Sequence, residues 1–203
     1  GITVAALNSG LPVTMIERDD DSLKRGRANV EKVYDRLLAK GRITHDHKAS
    51  VMALYTGSTD YADLSDADMV IEAVFERLDV KRDVFTQLDK VMKPSAVFAS
   101  NTSYIDIDHI SSATGRPNQV LGLHFFSPAN IMKLLEIVVP KGVADDVVAT
   151  GFALAKRLGK VPVRAGNSAG FIGNRILGKY GMCAAYMMED GATPYEIDAA
   201  IYA

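Results

Sequence analysis

A single histidine, His124, ends one apolar stretch of the sequence, and the acid Glu136 follows twelve residues later in another. Both stretches, QVLGLHFF (119–126) and LLEIVV (134–139), have the apolar, β-branched character of buried strands. If the two strands lie side by side, the carboxylate can fix the tautomer of the imidazole and leave its other nitrogen free to accept a proton from an alcohol. The alternative is a core histidine packed beside two phenylalanines, and the spacing alone does not decide between the two.

Small polar residues gather at the end of another predicted strand. The segment FASNTSYI (98–105) places Ser103 and three polar neighbours at the carboxyl end of the strand, where open α/β sheets bind ligands. Such clusters also serve as ordinary caps and turns. Farther along, AGNSAGFIGNRI (165–176) enters a helix with Asn174 one turn inside it. Its amide could hydrogen-bond a substrate carbonyl or be only a polar position near a domain junction.

The elements that must position these residues alternate in type along the chain. Apolar runs of strand length alternate with longer amphipathic stretches, which predicts an α/β fold with a doubly wound, mostly parallel sheet. The predicted helices include a charged, mostly solvated one from 20 to 40 and one from 79 to 93 that Pro94 ends. The predicted strands are 12–17, 68–74, 96–100, 119–126, 134–139 and 160–165.

The pattern changes after Gly166, where no further strand is predicted and two helical stretches follow. The second stretch begins with TPYE (193–196), in which the threonine, the proline and the glutamate are suited to a capping box. We therefore expect two domains, a Rossmann-like α/β domain at 1–165 and the beginning of an all-helical domain at 166–203.

The first residues, GITVAALNSGLPVTMIER, predict a helix, a Ser-Gly turn and a strand that ends in the acid Glu17. A dinucleotide-binding sheet places a glycine-rich turn before such a helix and an acid at the end of its second strand, where the carboxylate holds a ribose hydroxyl. Here the acid is present without the loop. We expect the first strand and its glycines to lie upstream and the helical domain to continue downstream. A solvated strand end is the alternative interpretation of the acid.

The composition is that of an ordinary globular protein: 203 residues, 48% hydrophobic and 24% charged, with a net charge of -2. No polyanion-binding surface is indicated, so nucleic acid is not an expected partner. The single cysteine, Cys183, stands among apolar residues and is predicted to be buried. No apolar run reaches the length of a membrane span and no signal peptide is visible, which favours a cytoplasmic protein. His45 and His47 lack further ligands nearby, so no metal site is predicted.

Four segments, in order, resemble the signature sequences of the L-3-hydroxyacyl-CoA dehydrogenase family of fatty-acid β-oxidation. They are DMVIEAVFERLDVKRDVF, FASNTS, GLHFFSPANIMKLLEIV and SAGFIGNRI, and the resemblance covers essentially the whole chain. The form HFFSPA is more similar to the dehydrogenase part of bifunctional hydratase–dehydrogenases, because short monofunctional enzymes more often have Asn at the position of Ser127. The resemblance implies a Rossmann-like NAD-binding domain without its first strand and the start of a helical domain, with the chain truncated at both ends.

The resemblance also implies roles for individual residues. His124 is the general base, Glu136 orients it, and Ser103 and Asn174 contact the substrate. The residues implied to line the NAD site are Glu17, at the adenosine ribose, with Ala73, Glu76, Lys81, Ser103 and Ser127. NAD is therefore the expected cofactor, and an L-3-hydroxyacyl-CoA is the expected substrate, oxidised to a 3-ketoacyl-CoA.

Other functions remain open beside this one. One is a non-enzymatic family member that keeps the fold, as the family's lens crystallins do. Another is a 3-hydroxy acid dehydrogenase whose base is a lysine on the helix entering the second domain, near Lys179. Without the glycine loop, this chain alone is expected to bind NAD weakly and to show little turnover. The parent protein is expected to be fused to an enoyl-CoA hydratase domain or to be dimeric through its helical domain.

Overall fold

A computed structural model describes residues 1–202 of the chain. The strands are β1 (Val13–Ile16), β2 (Tyr55–Ser58), β3 (Met69–Glu72), β4 (Val97–Ser100), β5 (Val120–Phe125), β6 (Leu134–Val139) and β7 (Val161–Gly166). The α-helices are α1 (Ile2–Asn8), α2 (Asp20–Ala39), α3 (His45–Met52), α4 (Leu78–Val91), α5 (Ile107–Ser111), α6 (Asp145–Arg157), α7 (Gly173–Glu189) and α8 (Pro194–Tyr202). Two short 3-10 helices span Tyr61–Leu64 and Pro117–Gln119.

The strands form two sheets. β1 and β2 make a two-stranded parallel sheet, while β3 to β7 make a five-stranded sheet in chain order. All neighbours in the larger sheet are parallel except β5 and β6, which are antiparallel. The predicted α/β class with a mostly parallel sheet is confirmed. The strand β2 is not predicted, because YTGS is short and its glycine interrupts any alternation of apolar side chains.

The central strands β4 and β5 of the larger sheet are buried on both faces, as their continuous apolar runs require. Along β4, Phe98 belongs to one apolar cluster, which includes Phe85 of α4, while Val97 and Ala99 belong to a second, which includes Ala155 of α6. Side chains of successive strand residues point to opposite faces, so the two clusters cover the two sides of the sheet. This packing fixes the register of the strands and aligns the ends of β3 and β4, where the polar residues begin.

The charged helix α2 begins and packs as its sequence indicates. Asp19 caps the helix by accepting a hydrogen bond from the Ser22 amide at 2.6 Å. Val30 and Tyr34 lie in a third apolar cluster together with residues of α1 and β2. The remaining face is largely solvated, as predicted, and the helix begins at Asp20, three residues beyond Glu17, which directly follows β1.

The last two helices have little core contact. The capping box of α8 is present: the Thr193 amide donates to Oε2 of Glu196 at 2.8 Å, and the Glu196 amide donates to Oγ1 of Thr193 at 3.3 Å. Cys183 is exposed on α7, so the prediction that it is buried is wrong. The residues next to Cys183 in the sequence are apolar, but the helix α7 has no buried side chain, so these neighbours do not cover the cysteine.

Within residues 1–202, none of the helices combines the length and apolar character needed to cross a bilayer.

Candidate active site

The antiparallel step of the sheet places His124 directly opposite Glu136. Nδ1 of His124 lies 2.7 Å from Oε2 of Glu136, and the two residues are only 4% and 1% exposed. A carboxylate accepts hydrogen bonds, so this contact assigns the ring hydrogen to Nδ1 and leaves Nε2 as the accepting atom. The side-by-side arrangement on which the sequence argument depended is therefore present.

The second oxygen of Glu136 binds the start of α7. Oε1 accepts hydrogen bonds from the backbone amides of Ile172 at 3.1 Å and Gly173 at 2.8 Å. These amides belong to the first turn of the helix, which has free N–H groups and attracts negative charge. One carboxylate thus orients His124 and also anchors the helix that carries Asn174, which lies half-buried one residue after Gly173.

Two phenylalanine rings enclose the imidazole. The ring centroid of His124 lies 4.6 Å from that of Phe126 and 5.5 Å from that of Phe171. Phe171 has a φ of 46°, a left-handed backbone conformation that is unfavourable for a bulky residue. Such strain persists only where surrounding contacts hold it, and here the residue is buried against the dyad. The turn from 170 to 173 therefore contacts both members of the His–Glu pair: Phe171 packs on the imidazole, and two backbone amides donate to the carboxylate.

Substitution of Gly173 by alanine is expected to disturb this turn. A Cβ at this position would lie 2.8 Å from Cζ of Phe126 and 3.6 Å from Oε1 of Glu136. We expect the free energy of unfolding, measured by urea denaturation, to fall by about 1 to 3 kcal/mol because of this overpacking. Gly178→Ala is the control, since no atom lies within 4 Å of its Cβ. Equal effects of the two substitutions would contradict the close approach described here.

The polar residues that end β4 have different surroundings. Oδ1 of Asn101 accepts a hydrogen bond from the Phe125 amide at 2.9 Å, which ties the end of β4 to the strand that carries His124. Thr102 is buried and donates from its hydroxyl to Glu76 at 2.5 Å. Ser103 is half-buried, and its amide donates to the same Glu76 oxygen at 2.9 Å. Sequence reasoning assigned no separate role to Asn101; its only signal was its place directly after a buried strand.

Glu76 is held in its charged form by the loop that follows β4. Burial raises the pKa of the Glu76 carboxyl, but hydrogen bonds from the Thr102 hydroxyl and from the Ser103 and Tyr104 amides lower it, and the charge of Lys81 lowers it further. The lowering contributions win, so the pKa lies below its ordinary value of 4.5. The carboxylate therefore acts as a fixed acceptor that shapes the loop carrying Ser103.

This lowered pKa predicts a pH-dependent contribution to stability. A carboxyl whose pKa is lower in the folded state stabilises the fold above its unfolded pKa, and that contribution is lost as the pH falls through the folded value. We expect urea denaturation to show the wild type more stable than Glu76→Gln at pH 7, with the difference shrinking once the pH falls below about 4.5. A difference that stays constant from pH 7 to pH 3 would show that the charge of Glu76 contributes nothing.

Lys81, which the resemblance places along the cofactor site, is enclosed in the protein. The residue is 1% exposed, and its Nζ lies 2.8 Å from Oε1 of Glu72 and 3.4 Å from Oε2 of Glu76. Its ammonium is thus occupied between two carboxylates. Sequence reasoning gave no role to Glu72, although an acid at the end of an otherwise apolar strand was a usable signal.

The remaining predicted cofactor residues lie around the ends of β1, β3 and β5. Glu17 lines a surface cleft with Arg18 and Gly26, and Phe75 reaches the same cleft from the loop after β3. Ala73, in that loop, is exposed. Ser127 is exposed in the turn that follows β5, three residues after His124, and is not drawn into the His–Glu pair. Residues that follow β1 and β3 therefore line one cleft.

Comparison with known proteins shows similarity along the whole chain. Residues 1–168 match the sequence model of the NAD binding domain of 3-hydroxyacyl-CoA dehydrogenase, and residues 170–203 match that of its C-terminal domain. The chain is 39% identical to the peroxisomal bifunctional enzyme of Danio rerio over 99% of its own length and 27% of that protein. It is 38% identical to a peroxisomal fatty acid beta-oxidation multifunctional protein of Arabidopsis thaliana, over 99% of the chain and 28% of that protein. The chain thus spans about a quarter of the length of these curated relatives.

Solved structures agree with the sequence matches. FadB2 of M. tuberculosis superimposes with a TM-score of 0.94 at 37% identity, over 98% of this chain and 71% of that one. The (S)-3-hydroxybutyryl-CoA dehydrogenase PaaH1 from Ralstonia eutropha gives a TM-score of 0.92 at 38% identity, over 97% of this chain and 70% of that one. The expected Rossmann-like dehydrogenase fold is confirmed by these structures.

The predicted cytoplasmic location is wrong by the same comparison. The relatives from zebrafish, guinea pig and Arabidopsis thaliana are named as peroxisomal, and that from Brassica napus as glyoxysomal. The prediction rested on missing secretory and membrane-spanning signals. Peroxisomal proteins are recognised through short receptor-read address sequences, which leave no trace in hydropathy or composition.

Proposed function

The chain belongs to the 3-hydroxyacyl-CoA dehydrogenase family, and on that basis we propose that its protein oxidises L-3-hydroxyacyl-CoA to 3-ketoacyl-CoA with NAD+. The single observation that carries the proposal is the buried contact of 2.7 Å between Nδ1 of His124 and Oε2 of Glu136. This contact leaves Nε2 as a proton acceptor within a pocket of two aromatic rings. A base of this kind is what the oxidation of a secondary alcohol requires.

The residues around the cleft fit a dinucleotide. Glu17 directly follows β1 and lines the cleft, which suits a ribose hydroxyl. Phe75 from the loop after β3 offers a flat, exposed ring at the same cleft. Of the remaining residues, Ala73 and Ser127 are exposed near strand ends, while Lys81 contributes through Glu76. NAD+, when bound, supplies the acceptor for the hydride that leaves C3 of the substrate.

The protein's own groups then provide position and proton transfer. His124 takes the proton of the 3-hydroxyl on Nε2 as the C3 carbonyl forms, and Glu136 stabilises the resulting imidazolium through Nδ1. Ser103 and Asn174 bind the hydroxyl and the thioester carbonyl, so that the reacting atoms are held in line. The competing lysine-based function is disfavoured, because Lys179 lies exposed on α7 whereas His124 is enclosed with its carboxylate.

The substrate and the partner domain belong to the same proposal. Acyl-CoA is supported by the named activity of the similar structure from Ralstonia eutropha, a 3-hydroxybutyryl-CoA dehydrogenase. Fusion to an enoyl-CoA hydratase domain is supported by the bifunctional and multifunctional relatives and by the form HFFSPA around His124. A hydratase would supply the L-3-hydroxyacyl-CoA that the dehydrogenase consumes.

The test is the reduction of acetoacetyl-CoA by the full-length protein with NADH, followed by oxidation of L- and D-3-hydroxybutyryl-CoA with NAD+. We expect turnover of acetoacetyl-CoA and of the L-substrate, and none of the D-substrate. Binding of NADH without turnover of any of the three substrates would overturn the proposal and favour a non-enzymatic family member.

A further inference from the structure

A buried acid without an assigned role lies at the end of β3. Glu72 is 3% exposed and pairs in register with Ser100, the last residue of the neighbouring strand β4. Its Oε1 accepts hydrogen bonds from Nζ of Lys81 at 2.8 Å and from the Val74 amide at 2.6 Å. Its Oε2 accepts from the Ser100 hydroxyl at 2.7 Å. Both oxygens are therefore satisfied by groups of two strand ends and one helix.

Lys81 extends these contacts to the loop that carries Ser103. Its ammonium lies between Glu72 and the more exposed Glu76, at 2.8 and 3.4 Å. Glu76 in turn accepts from the Ser103 and Tyr104 amides at 2.9 and 3.1 Å. A continuous series of charge-assisted contacts thus connects the end of β3 to the backbone of the loop that carries Ser103.

Stability alone is a poor explanation for this arrangement. A buried ion pair loses the hydration of both charges, and replacing such a pair by neutral groups of similar volume is often neutral or stabilising. The pair of Glu72 and Lys81 is fully enclosed, so it carries this desolvation cost. Neutral side chains could not replace these charges in one respect. The Glu72 carboxylate directs the Lys81 ammonium toward Glu76, and the ammonium then holds the Glu76 carboxylate next to the amides of the loop.

We propose that Glu72 is a positioning residue, which orients Lys81 so that Glu76 holds the loop of Ser103 in its binding geometry. The inference rests on the proposed function, since Ser103 is the residue that would contact the substrate. Glu72 is enclosed, and both of its oxygens are occupied by protein groups. Its effect on the reaction passes through the loops after β3 and β4, which is why its loss should appear as misplacement of Ser103.

The experiment compares three variants of the full-length protein: Glu72→Gln, the double variant E72Q/K81M and Asp89→Asn. The double variant removes both buried charges at nearly constant volume, so it separates folding stability from positioning. Asp89→Asn is the matched control, because it breaks another partly buried ion pair, with Arg116, that has no contact with the loop of Ser103. The measurements are thermal unfolding, steady-state kinetics with acetoacetyl-CoA, and amide hydrogen exchange at 103 and 104 without ligands.

For Glu72→Gln we expect kcat/KM to fall about 10- to 100-fold, because a small displacement of a group that positions the substrate lowers the rate by that much. Exchange at the Ser103 and Tyr104 amides should quicken about tenfold, because Glu76, their charge-assisted acceptor, is no longer held in place by an oriented Lys81. In the double variant the melting temperature should recover while the exchange and kinetic defects persist. Asp89→Asn should lower the melting temperature and leave both other measurements unchanged.

Two results would overturn this inference. One is unchanged exchange at 103 and 104 in Glu72→Gln, and the other is recovery of kcat/KM together with the melting temperature in E72Q/K81M. Either would make Glu72 a folding residue only. The exchange measurement needs no turnover, so it remains decisive if the wild-type protein fails to reduce acetoacetyl-CoA, a failure that would refute the proposed function instead.

Discussion

Glutamine in place of His124 is expected to lower kcat for acetoacetyl-CoA reduction by about 10²- to 10⁴-fold, the usual contribution of a positioned general acid–base group. Of the residues that the structure describes, His124 is the only histidine in contact with Glu136, and its Nε2 is left free to carry the proton. Among residues 1–202, the other three histidines lie on helices at the protein surface. Glutamine can still donate to Oε2 of Glu136, so the buried carboxylate keeps a partner and the fold should remain intact.

The control for this substitution is His109→Gln, on the exposed side of α5. Steady-state rates with saturating NADH and acetoacetyl-CoA, together with circular dichroism of each variant, give the comparison. His109→Gln should retain wild-type kcat. If His124→Gln also retained it, the dehydrogenase mechanism proposed here would have no base, and a different group would have to be sought.

The sequence indicates the two members of the dyad but not their contact. His124 and Glu136 each end or interrupt a predicted strand, yet their meeting depends on β5 and β6 being antiparallel neighbours. Hydrophobic periodicity identifies strands and says little about which strands pair or in which direction. The resemblance to the dehydrogenase family supplied that information, because the family's catalytic pair falls on these two positions.

Contacts that depend on tertiary packing are the part the sequence cannot provide. The hydrogen bonds from the Ile172 and Gly173 amides to Glu136 join groups that are 36 and 37 residues apart in the chain. The enclosure of Lys81 by Glu72 needs the helix α4 to lie against the sheet before the ammonium can turn inward. In the sequence, Lys81 is one of three cations in the helix α4, and most such residues are solvated.

The burial of Cys183 was predicted from its apolar neighbours and is wrong for a related reason. Local composition predicts that a segment has an apolar face, but burial requires a second surface to cover that face. In α7 the described residues present several large apolar side chains to solvent, among them Ile176, Leu177 and Tyr180. The sequence pattern therefore predicted the helix correctly but predicted the burial of its cysteine incorrectly.

Substitution of Glu136 by glutamine is expected to have an effect as large as loss of the histidine, for a different reason. Oε1 of the glutamine can still accept from the Ile172 and Gly173 amides, so α7 stays anchored. Its NH2 group then faces Nδ1 of His124 and donates to it, which moves the ring hydrogen to Nε2. The atom that must accept the substrate proton already carries one. A wrong tautomer of this kind lowers kcat by roughly 10⁴-fold in a serine protease triad, and we expect a loss of similar size in the oxidation of L-3-hydroxybutyryl-CoA by NAD+.

Glu136→Ala separates the two duties of this carboxylate. It removes the acceptor of the helix amides as well as the partner of His124, so both kcat and the melting temperature should fall, whereas Glu136→Gln should lower kcat and leave the melting temperature near that of the wild type. KM for L-3-hydroxybutyryl-CoA should change little in Glu136→Gln, because the groups proposed to bind substrate, Ser103 and Asn174, keep their supports. Near-normal kcat in Glu136→Gln would mean that the tautomer of His124 is set by another group, and the dyad would then be a structural contact alone.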